Sequence, residues 1–174
     1  ILDVGCGAGN HALWLQEKGF NVKAIDCSKG AIDVCKLRGL KNAEHIALLN
    51  ETDTFDTILL LMNGTGIFQE IFQIAKYLNH LKSLLKPNGQ ILIDSSDLKY
   101  MYDTSEEGGI WVPADRYYGE LEFTMKYKGE LSNPFHWLYL DPTRFEVYAK
   151  NNGFKFETII EGEHFEYLAK LTAY

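Results

Sequence analysis

The sequence predicts an α/β fold: a doubly wound, mainly parallel sheet of seven-stranded type, with an antiparallel edge pair and a β-hairpin inserted after strand five. Three observations carry this expectation. Apolar β-type runs alternate with amphipathic helical stripes, the pattern of a parallel sheet wrapped by helices. The first run, Ile1-Leu2-Asp3-Val4, breaks at once into Gly5-Cys6-Gly7-Ala8-Gly9, with a glycine at every second position before a helix. Residues 95–141 then abandon the helix–strand alternation for aromatic and polar residues at period two.

Strand one covers Ile1 to Val4. Helix one runs from about Asn10 to Lys18, with Gly19 as its stop. Strand two is Phe20 to Ile25 and ends at Asp26. Ser28 caps a helix through Ala31, Ile32, Val34, Cys35 and Leu37, ended by Gly39. A short third strand lies near Glu44 to Leu48. The apolar run Thr57 to Met62 lacks alternation, as a strand buried on both faces should. Asn63-Gly64-Thr65-Gly66 follows it. Ile71, Ile74, Ala75, Leu78, Leu81, Leu84 and Leu85 mark the next helix. Pro87-Asn88-Gly89 makes a turn, and strand five runs from Gln90 to Ile93, ending at Asp94.

In the insert, Leu121, Phe123, Met125 and Tyr127 alternate with polar residues, and Phe135, Trp137 and Tyr139 continue at period two beyond Gly129. This predicts a hairpin. Asp141 or Thr143 caps the last helix, which reaches about Asn151. Phe154 to Glu161 and Phe165 to Thr172 form two strands around a Gly162 turn. The reading is of one domain over 1–174, with residues 95–141 as a lid-like insertion.

The chain of 174 residues is long enough for one sizeable core. Its net charge of −7, from 17 basic and 24 acidic residues, argues against general binding to nucleic-acid backbone. There is no membrane-spanning run and no signal peptide. Three cysteines without a CxxC pair point to reduced thiols and a cytoplasmic setting. The histidines show no ligand spacing, so no metal site is expected. Because Ile1 already lies in strand one, a preceding cofactor-covering helix is expected to be missing.

A strand that stops in glycines before a helix forms a nucleotide cradle, because glycine lets the backbone approach a ligand and the helix N-terminus offers free N–H groups. A dinucleotide fingerprint, G-x-G-x-x-G, needs its third glycine at the sixth position, here Asn10; the third glycine comes one residue early, at Gly9. The spacing of ILDVGCGAG resembles motif I of the class I S-adenosylmethionine-dependent methyltransferases. The resemblance extends to Asp26, 21 residues after Gly5, to Phe55-Asp56 entering strand four, to Leu84-Leu85-Lys86-Pro87-Asn88-Gly89 before strand five, and to the terminal helix with its strand pair. One feature departs from the family. The acidic residue often found after strand three has no clear counterpart, with Asn50, Glu51 and Asp53 all available.

This resemblance implies S-adenosylmethionine as cofactor, held by Asp3, Gly5, Cys6, Gly7, Ala8, Gly9, Asp26, Cys27, Met62 and Asn63. Asp3 either reaches the cofactor's ammonium or fixes the loop by accepting N–H bonds. Asp26 accepts both ribose hydroxyls, with capping of the next helix as the alternative. Asn63 and His136 are the catalytic candidates, by orienting the acceptor or as general base, against plain roles as a turn former and a polar-face residue. Tyr100, Trp111, Tyr118 and Trp137 are candidates for the substrate wall, against a second small core. The implied function is methyl transfer to a small-molecule acceptor, with the number of copies left open. The alternatives are a non-catalytic cofactor-binding module and a nicotinamide oxidoreductase.

Overall fold

The computed structural model describes residues 1–103, 105 and 109–174; residues 104 and 106–108, within the expected 95–141 insert, lie outside the described residues. The chain forms β1 (Leu2–Val4), α1 (Asn10–Glu17), β2 (Lys23–Asp26), α2 (Lys29–Leu37), β3 (Ala43–His45), β4 (Phe55–Leu60), α3 (Ile74–Ser83) and β5 (Leu85–Ser96). The insert follows, with β6 (Glu120–Phe123), β7 (Lys126–Tyr127), β8 (Glu130–Leu131) and β9 (Phe135–Leu138). The chain ends in α4 (Pro142–Asn151), β10 (Phe154–Glu161) and β11 (Glu166–Ala173).

Seven strands make one sheet in the order β10-β11-β5-β4-β1-β2-β3. β3, β2, β1, β4 and β5 pair in parallel, while β11 runs antiparallel between β5 and β10. Period-two alternation sends neighbouring residues to opposite faces. Thus Ala24 joins the core under α1 and α2 (Ala12, Ile32, Cys35), whereas Ile25 joins the core under α3 and α4 (Leu78, Leu81, Phe145, Ala149). The helices therefore cover both faces, as expected.

The helix starts have identifiable causes. Ser28 Oγ accepts the Ala31 N–H at 3.3 Å. Asp141, not Thr143, caps α4: its Oδ1 accepts the Arg144 N–H at 2.9 Å, and Pro142 takes the first helical position.

Several boundaries differ from expectation. β2 begins at Lys23, with Phe20 left half-exposed in the preceding loop. β3 stops at His45, and Leu48–Asn50 closes into a 3-10 turn. The Pro87-Asn88-Gly89 turn does not separate helix from strand. α3 ends at Ser83 and β5 starts at Leu85, because Asn88 takes φ 64° and lets the ladder resume. Pairing steps from Phe55↔Leu85 to Thr57↔Gln90, so the extra residues bulge out of β5.

The insert is a two-part ribbon. β6 pairs antiparallel with β9, placing Leu121 opposite Trp137 and Glu122 opposite His136, and a separate tip pairs β7 with β8. Pro134, which has no N–H, sits where the return strand breaks.

Candidate active site

The carboxyl edge of β1 and β2 carries the glycine turn. Gly5, Gly7 and Gly9 adopt φ of 69°, 53° and 80°, a left-handed conformation that side chains rarely tolerate. The turn is tied to β2: the Gly5 and Cys6 amides donate to Ile25 O at 2.9 and 3.1 Å. Asp26 Oδ2 accepts the Gly7 N–H at 2.9 Å while its Oδ1 accepts the Ser28 N–H at 2.7 Å. Each carboxylate oxygen keeps a further lone pair for a ligand hydroxyl. Cys6 and Cys35 pack beneath the turn, with Sγ atoms 3.9 Å apart. Burial pushes the Cys6 thiol well above its usual range, so it acts as a packed, protonated group.

Asp3 is 2% exposed, and its Oδ2 has no hydrogen-bond partner among the described residues. Burial raises the Asp3 carboxyl, with His11 and the Ala12 amide opposing. An unmatched carboxylate oxygen costs stability unless a donor reaches it.

A cavity of about 430 Å³ opens beside this turn. Gly5, Asp26 and Cys27 line it, together with Ile46–Leu49 after β3, Ile67 and Gln69 after β4, and Tyr77 of α3. The hairpin contributes Phe135, His136 and Trp137. Trp137 rests on Gly66, where a methyl group would stand 2.5 Å from indole Cδ2 and closer still to Cε2 and Nε1.

A buried latch holds the hairpin there. Thr65 Oγ1 donates to Leu138 O at 3.0 Å and lies 2.6 Å from Ser95 Oγ. Ser95 Oγ also accepts the Leu140 N–H at 2.9 Å. Asn63, expected to face the substrate, is part of this latch: its Nδ2 donates to Leu138 O and its Oδ1 lies 3.1 Å from Ser95 Oγ. It does not line the cavity. Gly66, Ile67 and Gln69 face the cavity from this loop, and no sequence pattern marked Ile67 or Gln69.

The remaining candidates separate. Met62 is 79% exposed, its amide bound to Asp94 Oδ2. His136 lines the cavity with its ring nitrogens 3.9 and 4.0 Å from Glu70 and Glu122. Of the four wall candidates only Trp137 reaches the cavity. Tyr100 stacks on Phe165 at 5.1 Å, Trp111 is exposed, and Tyr118 donates its hydroxyl to Asp97 at 2.8 Å. Tyr118 thus packs within the insert, Tyr100 meets the turn between β10 and β11, and Trp111 faces outward.

The acidic residues after β3 face the other edge of the sheet. Lys23, at the start of β2, places its ammonium 2.9 Å from Glu51 Oε2 and 2.8 Å from Asp53 Oδ2. Asn50 is exposed and does not line the cavity.

The sheet order and this site define an open α/β domain with a nucleoside-sized cavity at the carboxyl ends of its strands. A family model described as "Methyltransferase domain" matches residues 1–159. The chain belongs to the S-adenosylmethionine-dependent methyltransferase family. A solved S-adenosylmethionine-dependent methyltransferase from Bacteroides fragilis, in complex with S-adenosyl-L-homocysteine, is 48% identical with a TM-score of 0.91, over 99% of this chain and 71% of that one. The ubiquinone biosynthesis O-methyltransferase of Rickettsia typhi is 31% identical over 102 residues, covering 55% of this chain and 40% of its own length. The cypemycin N-terminal methyltransferase of a Streptomyces species is 29% identical over 102 residues, 56% of this chain and 42% of that protein. The chain thus spans about two fifths of the length of these curated relatives. Among the described residues no helix is long and apolar enough to cross a membrane.

Proposed function

We propose that this chain transfers the methyl group of S-adenosylmethionine to a small-molecule acceptor held under the hairpin. The observation that carries the reading is a single cavity bounded by Gly5 and Asp26 on one side and by Phe135–Trp137 on the other. The residues fit the cofactor. Gly5–Gly9 admit close approach of its amino-acid end, and the unmatched Asp3 Oδ2 suits its ammonium. Asp26 has free lone pairs for the ribose hydroxyls. When bound, S-adenosylmethionine supplies a methyl group on a sulfonium, already activated toward a nucleophile.

The protein's own task is then positional. Trp137 and Phe135 shield the reacting region from water, and the latch through Thr65 and Ser95 keeps that wall in place. In this reading His136, which lines the cavity with Glu70 and Glu122 nearby, receives a proton from the acceptor.

Calorimetric titration of the full-length protein with S-adenosylhomocysteine and with NADH tests the reading. Binding of the first and not the second is expected. NADH binding without S-adenosylhomocysteine binding would replace it with a nicotinamide function.

A further inference from the structure

The glycine turn is held from two sides. Its first half is tied to β2 through Ile25 O and Asp26. Its second half lies against the last turn of α2. A methyl group at Gly9 would stand 2.9 Å from Cys35 Sγ, and the Cys35 thiol donates to Gly7 O at 3.2 Å. Arg38, the residue that closes α2, reaches back to the same segment. Its Nη1 donates to Ala8 O at 2.5 Å and to Asn10 Oδ1 at 2.7 Å.

These two bonds use both hydrogens of one guanidinium nitrogen. Ala8 stands between Gly7 and Gly9, two residues whose backbone no Cβ restrains. A grip on Ala8 O fixes the plane of the Ala8–Gly9 peptide. α1 starts without a side-chain cap, and the Asn10 amide serves Arg38 instead. Arg38 itself is exposed and does not line the cavity, so it acts on a ligand there through the turn.

Resting on the methyltransferase reading, we infer that Arg38 is a positioning residue for the amino-acid end of the cofactor. Its hold on Ala8 O and Asn10 keeps the second half of the glycine turn in the shape which that end meets. A turn ordered in the free protein spares the ligand an ordering cost, and loosening it returns that cost as weaker binding. Asp26, the ribose candidate, is held separately by the amides of Gly7 and Ser28, so the adenosine part should not feel the loss.

The test is calorimetric titration of wild type and Arg38→Ala with S-adenosylhomocysteine and with 5′-methylthioadenosine, which lacks the amino-acid end. Arg38→Ala should weaken S-adenosylhomocysteine about three- to tenfold and leave 5′-methylthioadenosine unchanged. The Tm of the free protein should move by no more than about 2 °C, as for an exposed side chain. Asn10→Ala removes one of the two bonds and should give a smaller loss with the same selectivity. The double variant should lose no more than Arg38→Ala alone. The ratio of wild-type to Arg38→Ala affinity should hold between about 50 and 500 mM salt, where direct attraction to the ligand's carboxylate would be screened. Wild-type affinity for S-adenosylhomocysteine in Arg38→Ala, equal losses for both ligands, or a ratio that collapses in high salt would overturn the inference. Failure of wild type to bind S-adenosylhomocysteine at all would instead remove the methyltransferase reading, and the inference with it.

Discussion

Replacing Gly66 with alanine isolates one contact, the seat of Trp137. Gly66 lies in a short 3-10 turn at an ordinary backbone conformation, so alanine adds no φ strain. Its methyl group would stand 2.5 Å from Trp137 Cδ2 and nearer still to Cε2 and Nε1, against an ordinary contact of 3.4 Å or more, so the indole must retreat by more than 0.9 Å. Retreat is opposed on two sides. Phe135 meets the indole edge-on at 6.3 Å, and Leu138 O, on the next residue, is gripped by Thr65 and Asn63. Overpacking of this kind costs about 1–3 kcal/mol, or roughly 2–12 °C in Tm for a chain of this size. The assay is a thermal and urea double-mutant cycle over Gly66→Ala and Trp137→Leu. In the leucine background the alanine should cost nothing, giving a coupling of about 1–3 kcal/mol. Gly66→Ala should also raise KM for the acceptor more than Kd for S-adenosylhomocysteine. A Gly66→Ala protein with unchanged Tm and zero coupling would refute the seat.

Two further outcomes are expected. Lys23→Met leaves Glu51 buried without its cation and should destabilise the fold by about 3 kcal/mol, read from the urea midpoint, with Glu51→Gln restoring part of the loss. Asp3→Asn should stabilise the ligand-free protein and weaken S-adenosylhomocysteine by about tenfold or more, the value of a charge-assisted bond. Its pH signature has a definite sign. The folded Asp3 carboxyl holds its proton to higher pH than the ordinary 3.8, so the folded state binds more protons and stability falls as pH rises from 3.8 through the raised folded value. Urea midpoints between pH 4 and 7 should show this slope in wild type and a shallower one in the variant.

The sheet and its glycine turn were legible because they rest on local rules. Gly5, Gly7 and Gly9 do form the turn between β1 and α1, Ser28 does cap α2, and the buried run of β4 does lie inside the sheet. The boundaries that moved did so where tertiary pairing overrode local preference, as at Asn88, whose left-handed turn β5 absorbs as a bulge. The cavity wall was harder to read. Aromatic composition alone could not distinguish Trp137 from Tyr100 and Trp111, since the choice follows from which strand the Thr65–Ser95 latch grips. Asn63 has the chemistry of an active-site amide, and its commitment to Leu138 depends on a partner 75 residues away in sequence.

The two edges of the sheet treat buried polar groups in opposite ways. At the amino edge Glu51 is buried, but Lys23 and the amides of Thr52 and Asp53 all reach it, so its charge is matched within the protein. At the carboxyl edge Asp3 is as deeply buried, and its Oδ2 has no partner among the described residues. A group left so costs about 1–3 kcal/mol. A ligand that satisfies Asp3 recovers that free energy on binding, and by linkage it raises the stability of the fold it binds. Asp3 lies on β1 immediately before Val4 and Gly5, both of which line the nucleoside-sized cavity. A ligand that brings a cation to the glycine turn meets this condition, and S-adenosylmethionine carries an ammonium at its amino-acid end.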